Sequence, residues 1–331
     1  MTGDHTSMLQ TVEAANRLIA QGRRLHVAGD AAALARLARG DWIGGTIPYF
    51  LTAEGGRVDR ERVFVTELPP EVGAVEIGFV APDRLADIPA AAPAHGFSLI
   101  VVPGMSDAHV EYAVAAHDLP GLFETPVIGW IAGVHLDDLG RVKPMVFNGQ
   151  TGEAATDCIV ALRAHLSSRV TPRIGIINLF RQGNGDRFVF AETGFAAQRC
   201  RINGEDASFY EYAKTRRVDP RRPLVADLSG EMINVSFQAI DDATRSVKFY
   251  APVLAGVEYR QAAPLDDYRG ALLAHVAANP VAPVFSCNCI LNYLYADLAG
   301  DKALSITGPA TFGEIAYVLL NQTLVYLELA R

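Results

Sequence analysis

The chain has 331 residues, half of them apolar and a fifth charged, with 29 Lys and Arg against 37 Asp and Glu for a formal charge of −8. This composition excludes whole-chain disorder, and an acidic balance without a basic block argues against nucleic acid as a partner, because phosphate binding needs clustered cations. The longest apolar run, residues 315–320, is far below the roughly 20 residues of a spanning helix, and the start MTGDHTSMLQ has no basic-then-apolar leader; no membrane partner and a cytoplasmic location are expected.

Residues 8–20 carry apolar side chains at Leu9, Val12, Ala15, Leu18 and Ile19, the spacing of one helix face. Asp30 is placed to cap a second helix over residues 31–39, which Gly40 ends. Residues 40–51, GDWIGGTIPYFL, read as a buried turn rather than a strand, because Gly44, Gly45 and Pro48 interrupt them. Strands are expected at 62–67, 74–80, 97–102, 125–131 and 173–180, and helices at 106–117, capped by Ser106, and at 152–166. Strands alternating with helices predict a mixed α/β fold.

The second half has a different rhythm. A strand at 187–190 precedes INGEDASFYEYAK, a loop leading into a short helix. Residues 232–240 and 246–260 are expected as an antiparallel hairpin closed by the Asp-containing turn 241–245. A helix at 265–278 ends at Asn279-Pro280, followed by a strand at 284–289, a helix at 291–298, a Gly308-Pro309 loop and an apolar stretch at 315–329. No linker-like tract marks a boundary, so the expectation is two intimately packed mixed-sheet halves with covering helices, divided near residue 190.

Two regions resemble the FIST family. FSLIVVPGMSDAHVEYAVAAHDLPGLFETPVIGWIAG, residues 97–133, is similar to the FIST N-terminal region, with its strand, helix and second strand ending in a Gly-containing turn. INGEDASFYEYAK, PVLAGVEYRQA, VFSCNC and FGEIAYVLLNQTLVYLEL occur in the order of the FIST C-terminal region. The resemblance implies three segments: a 1–60 extension of helices and the Gly-Gly turn, a FIST N-terminal-like region at 61–190, and a FIST C-terminal-like region at 191–331. It also implies an intracellular sensory module that binds a small molecule and signals through a partner protein, with haem a cofactor of some members. The chain departs from the pattern in having Trp130-Ile131-Ala132 after the turn glycine, a shortened stretch between about residues 133 and 187, and Gly-Gly near the start.

The candidate site follows from both readings. Cys287 and Cys289 are two apart and are expected to point to opposite faces; without further ligands nearby they make no zinc site. Cys289 reads as core, whereas Cys287, near the family's Cys-containing strand end, is expected to line a ligand pocket or to serve as a nucleophile. Gly313 allows close approach beside Glu314, a pocket carboxylate or acid/base in one reading and a surface or capping group in the other. Asn321 and Thr323 are placed on one strand face inside an apolar stretch, either structural or ligand-facing. Gly44, Gly45 and Thr46 offer backbone N–H groups in the manner of an anion nest, with Tyr49 and Trp42 as core aromatics or pocket walls. Trp130 completes the ligand-binding set. The eight histidines, at 5, 26, 95, 109, 117, 135, 165 and 275, form no HxH, HExxH or HxxxH spacing, and no CxxCH, GxSxG or phosphate-loop motif occurs.

Overall fold

The most apolar segments form the inner strands. All 8 residues of Gly96–Pro103 and all 6 of Val127–Ala132 are buried, as parallel neighbours covered on both faces must be. The computed structural model describes residues 7–228, 230–295, 298–300 and 306–331. Among these residues the fold is mixed α/β, with five sheets and covering helices.

Three six-stranded sheets build the body of the molecule. The first runs Ser7–Gln10, Val63–Glu67, Leu25–Gly29, Trp42–Thr46, Val146–Asn148, Glu153–Ala155. The second runs Val318–Leu320, Glu314–Ala316, Val127–Ala132, Gly96–Pro103, Ile159–Leu166, Val72–Val80. The third runs Thr171–Ile177, Leu324–Ala330, Phe285–Cys289, Gly308–Thr311, Tyr49–Thr52, Gly55–Val58. Each contains one parallel pair in an otherwise antiparallel order.

Residues 182–262 form a lobe of their own, with a six-stranded and a three-stranded antiparallel sheet. Its core is aromatic: Phe209 meets Phe188 at 5.3 Å and Phe190 at 5.2 Å, edge to face. Such pairs contribute about 0.5–1.5 kcal/mol each beyond their buried area. The main division of the chain therefore sets this internal lobe against the body. The sheets of the body cross the boundary expected near residue 190, since Tyr49–Thr52 pairs with Gly308–Thr311 and Thr171–Ile177 with Leu324–Ala330.

Several local expectations are corrected. The first helix starts at Val12, capped by Thr11, because residues 7–10 are drawn into pairing with Val63–Glu67. The Asp30-capped helix stops at Leu34. Residues 152–166 are two strands rather than a helix, and Ile159–Leu166 is central in its sheet, bonded to a neighbour on each side. The Gly308-Pro309 loop is a strand. The stretch 315–329 breaks into three strands, placing Asn321 and Thr323 in a corner where Gln322 takes a left-handed φ of 50°. The last part of the 291–298 helix and His5 lie outside the described residues.

The Gly-Gly segment is the clearest correction. Trp42–Thr46 is a buried inner strand, not a turn. A Cβ on Gly45 would lie 2.5 Å from Val101 Cγ1 and 3.0 Å from the Trp130 ring, and one on Gly44 2.5 Å from the Val27 carbonyl. Glycine is needed at Gly45 because the first and second sheets pack too closely for a side chain, and at Gly44 because the backbone of the neighbouring strand fills the space.

Candidate functional site

Glu314 opens the short strand Glu314–Ala316 and is fully buried. Its Oε2 accepts from Thr323 Oγ1 at 2.8 Å and from Thr323 N–H at 3.2 Å, while Thr311 Oγ1 lies 3.3 Å from Oε1 and also donates to the Gly313 carbonyl at 3.0 Å. The Cys289 side chain adds a further hydrogen bond. Burial is the largest influence and pushes the Glu314 carboxyl up to about 8, against the pull of these donors. At neutral pH it is a protonated acid, and its own O–H can donate to Thr311.

Cys287 and Cys289 lie on the strand Phe285–Cys289, where residues two apart share a face. The expectation that they point apart is therefore corrected, and both feel Glu314. Burial raises both thiols well above the ordinary range. The Cys287 thiol donates to the Gly129 carbonyl at 3.5 Å. A shielded thiol held by a backbone carbonyl has the character of core packing rather than of an activated nucleophile.

The other sequence-derived candidates are also interior. Asn321 Nδ2 donates to the Leu320 carbonyl at 3.0 Å, and the Asn321 carbonyl accepts from Asn234 of the lobe at 3.0 Å. Trp130 Nε1 donates to His26 Nε2 at 2.7 Å, and the His26 ring stands edge-on to Phe285. Burial lowers His26 to about 3, so it is the neutral acceptor this bond requires. Strand pairing occupies Gly44 and Gly45, and Thr46 donates its N–H to the Met145 carbonyl at 2.9 Å, so the segment forms no anion nest. Glu314 and Cys287 thus share a sealed interior with Cys289, which was expected on the opposite face; Trp130 is the strand partner of Glu314, and Gly44 and Gly45 lie in the neighbouring sheet.

An apolar cavity lies nearby, between body and lobe. It has a volume of about 230 Å³ and sits beyond the carboxyl ends of the parallel strands Gly96–Pro103 and Val127–Ala132, the region where open α/β sheets place ligands. Gly104, Ile131, Ile290, Leu291 and Phe312 line it from the body, and Phe195, Gln238, Phe249 and Tyr250 from the lobe. Met105, Val110, Leu139 and Leu294 also line it and are each more than 40% exposed, so its rim leaves large apolar side chains in water. None of the eight sequence-derived site residues lines it, although Gly313 and Glu314 follow Phe312 directly.

His109 is the polar residue of its inner wall. Ser106 donates to the Pro103 carbonyl at 2.7 Å and accepts the His109 N–H at 3.1 Å, fixing the helix Asp107–Ala115 at the end of its strand. Met105, in a left-handed conformation at φ 61°, donates its N–H to His109 Nδ1 at 3.2 Å. Burial lowers the imidazole to about 4, so the ring is neutral and carries its proton on Nε2, which has no hydrogen-bond partner among the described residues.

A family model described as a family of unknown function (DUF6976) matches residues 10–330. The chain belongs to this family. Comparison with curated proteins and with solved structures finds no match. The match takes in body and lobe together, so the cavity between them lies wholly within the DUF6976 span. No helix among the described residues is long and apolar enough to cross a membrane, and no cluster of three or more His, Cys, Asp or Glu there is placed to hold a metal ion.

Sequence reading missed His109. Its only signal was a Ser-x-x-His step after a strand, which equally fits an ordinary capped helix. The role of the side chain emerges only when Met105 occupies Nδ1 and the lobe places Phe195 against the ring at 5.6 Å.

Proposed function

We propose that this DUF6976 protein is a small-molecule-binding sensory module, non-catalytic and cytoplasmic, in keeping with its FIST-like sequence elements. The observation that carries the reading is the apolar cavity between lobe and body, lined in part by exposed apolar side chains. Interfaces between packed units are favoured ligand sites, and a ligand touching both walls changes how lobe and body sit, a signal that a partner protein can read. A dry cavity of about 150 Å³ holds benzene, so the cavity of about 230 Å³ suits a ring-sized ligand and is too small for a macrocycle such as haem.

Thermal-shift screening tests this with phenols, indoles and aromatic ketones, with amino acids and haem as further arms. Binding to the native state alone raises the melting temperature by a few degrees at tenfold excess over Kd. A folded protein whose melting temperature responds to none of the ring-sized compounds would remove the cavity as a ligand site.

The competing reading is an enzyme using Cys287 as nucleophile or Glu314 as acid/base, and it draws on their shared neighbourhood. Their burial opposes it, because no substrate reaches either group. Iodoacetamide at pH 8 is expected to modify half-exposed Cys158 in the native protein and to spare Cys200, Cys287 and Cys289 until denaturant is added. Mass spectrometry showing native Cys287 alkylated as fast as a free thiol would restore the enzyme reading.

A further inference from the structure

We propose, resting on the ligand-binding reading above, that the cavity selects an uncharged, ring-sized molecule carrying one oxygen acceptor, a ketone or aldehyde in type, which takes the free N–H of His109. Three observations converge on that chemistry. His109 lines the cavity and is 9% exposed, with its Nε2 shielded and unpartnered among the described residues. The opposite nitrogen is committed to Met105 and Phe195 of the lobe stands edge-on to the ring, while Ser106 caps the helix through the His109 backbone N–H, so the orientation of the imidazole is fixed. No Lys or Arg among the described residues lines the cavity, and a neutral imidazole supplies no counter-charge.

The two remaining polar side chains of the wall, Gln238 and Tyr250, come from the lobe, and Gln238 is exposed. They tolerate polarity near the opening without compensating a buried charge. A buried donor left unpaired costs about 1–3 kcal/mol. An acceptor that satisfies it therefore gains affinity that a hydrocarbon of the same shape does not. A carboxylate or zwitterionic amino acid would instead carry unpaired charge into apolar surroundings, a far larger cost.

The test compares acetophenone with its near-isostere isopropylbenzene and with benzoate, by calorimetry on the full chain and on His109→Leu. The wild-type protein is expected to bind acetophenone and isopropylbenzene but not benzoate. In H109L acetophenone is expected to weaken about tenfold, the worth of one hydrogen bond, while isopropylbenzene changes less than about threefold. In the wild-type protein, acetophenone alone is expected to shift the ¹⁵N resonance of His109 Nε2, a readout that needs no variant. Equal losses for both compounds, an unmoved resonance at saturation, or tight benzoate binding would overturn the inference while leaving the cavity a ligand site. Failure of every compound to bind would overturn both.

Discussion

Replacing Glu314 by alanine is expected to destabilise the protein by about 3–5 kcal/mol, among the largest effects of any single substitution outside the glycines. The carboxyl satisfies Thr323 N–H, Thr323 Oγ1 and Thr311 Oγ1 in a site without water access, and alanine leaves these groups unpaired beside a void. Glu314→Gln keeps the shape and supplies both an acceptor and a donor, so most of the stability is retained.

The two variants also separate in pH. The Glu314 pKa is raised from 4.5 to about 8 in the native state. Across that window the unfolded chain has released its proton while the native chain retains it. The group's contribution is fully present below the unfolded value and falls away as pH rises toward the folded one, at up to roughly 1.4 kcal/mol per pH unit. His26 and His109, lowered to about 3 and about 4, act in the opposite sense: they stay neutral while the unfolded chain takes up protons, so stability falls as pH drops below about 6.5. The difference between wild type and E314Q isolates the carboxyl. Urea midpoints at pH 5, 7 and 9 are expected to show E314Q gaining on wild type as pH rises. Parallel pH profiles would show that Glu314 is not a buried neutral acid.

Val110→Trp is expected to abolish ligand-induced stabilisation while leaving the fold intact. Val110 lies on the solvent-facing side of the helix Asp107–Ala115, 43% exposed, and lines the cavity. An indole there is larger than the benzene that fills a cavity of about 150 Å³, so it takes most of the 230 Å³ available. Melting temperature without ligand should stay within about 2 °C of wild type, since surface substitutions seldom exceed about 0.5 kcal/mol. The shift given by a ring-sized ligand should vanish, and its affinity should fall by at least about tenfold. An undiminished shift in V110W would place the binding site elsewhere in the molecule.

Patterning located the inner strands at 97–102 and 125–131, because segments buried on both faces are almost wholly apolar and are bounded by turn residues, and it located 284–289 despite the buried Ser286 and Asn288. Ser106 and Asp30 were likewise legible as caps, since a helix start needs an oxygen for its unpaired N–H groups. Residues 152–166 misled for the converse reason: IVALRAHL has no strong helix stripe, and its conformation is decided by sheet neighbours on both sides. The Gly-Gly segment misled because glycine marks a turn and a close sheet contact with the same letter.

The sequence by itself determined the mixed α/β class, the inner strands and the caps at Asp30 and Ser106, because these follow from short-range pattern; it did not determine the gathering of Cys287, Cys289 and Glu314, having set the two cysteines on opposite faces. Only the tertiary structure decided that this gathering is sealed and that the accessible cavity lies in front of it. That cavity has walls drawn from residues near 105, 131, 195, 249, 291 and 312. A hollow is the space left between elements, so no one segment encodes it, and His109 acquires a free N–H only because a backbone amide four residues earlier in the chain already occupies its other nitrogen.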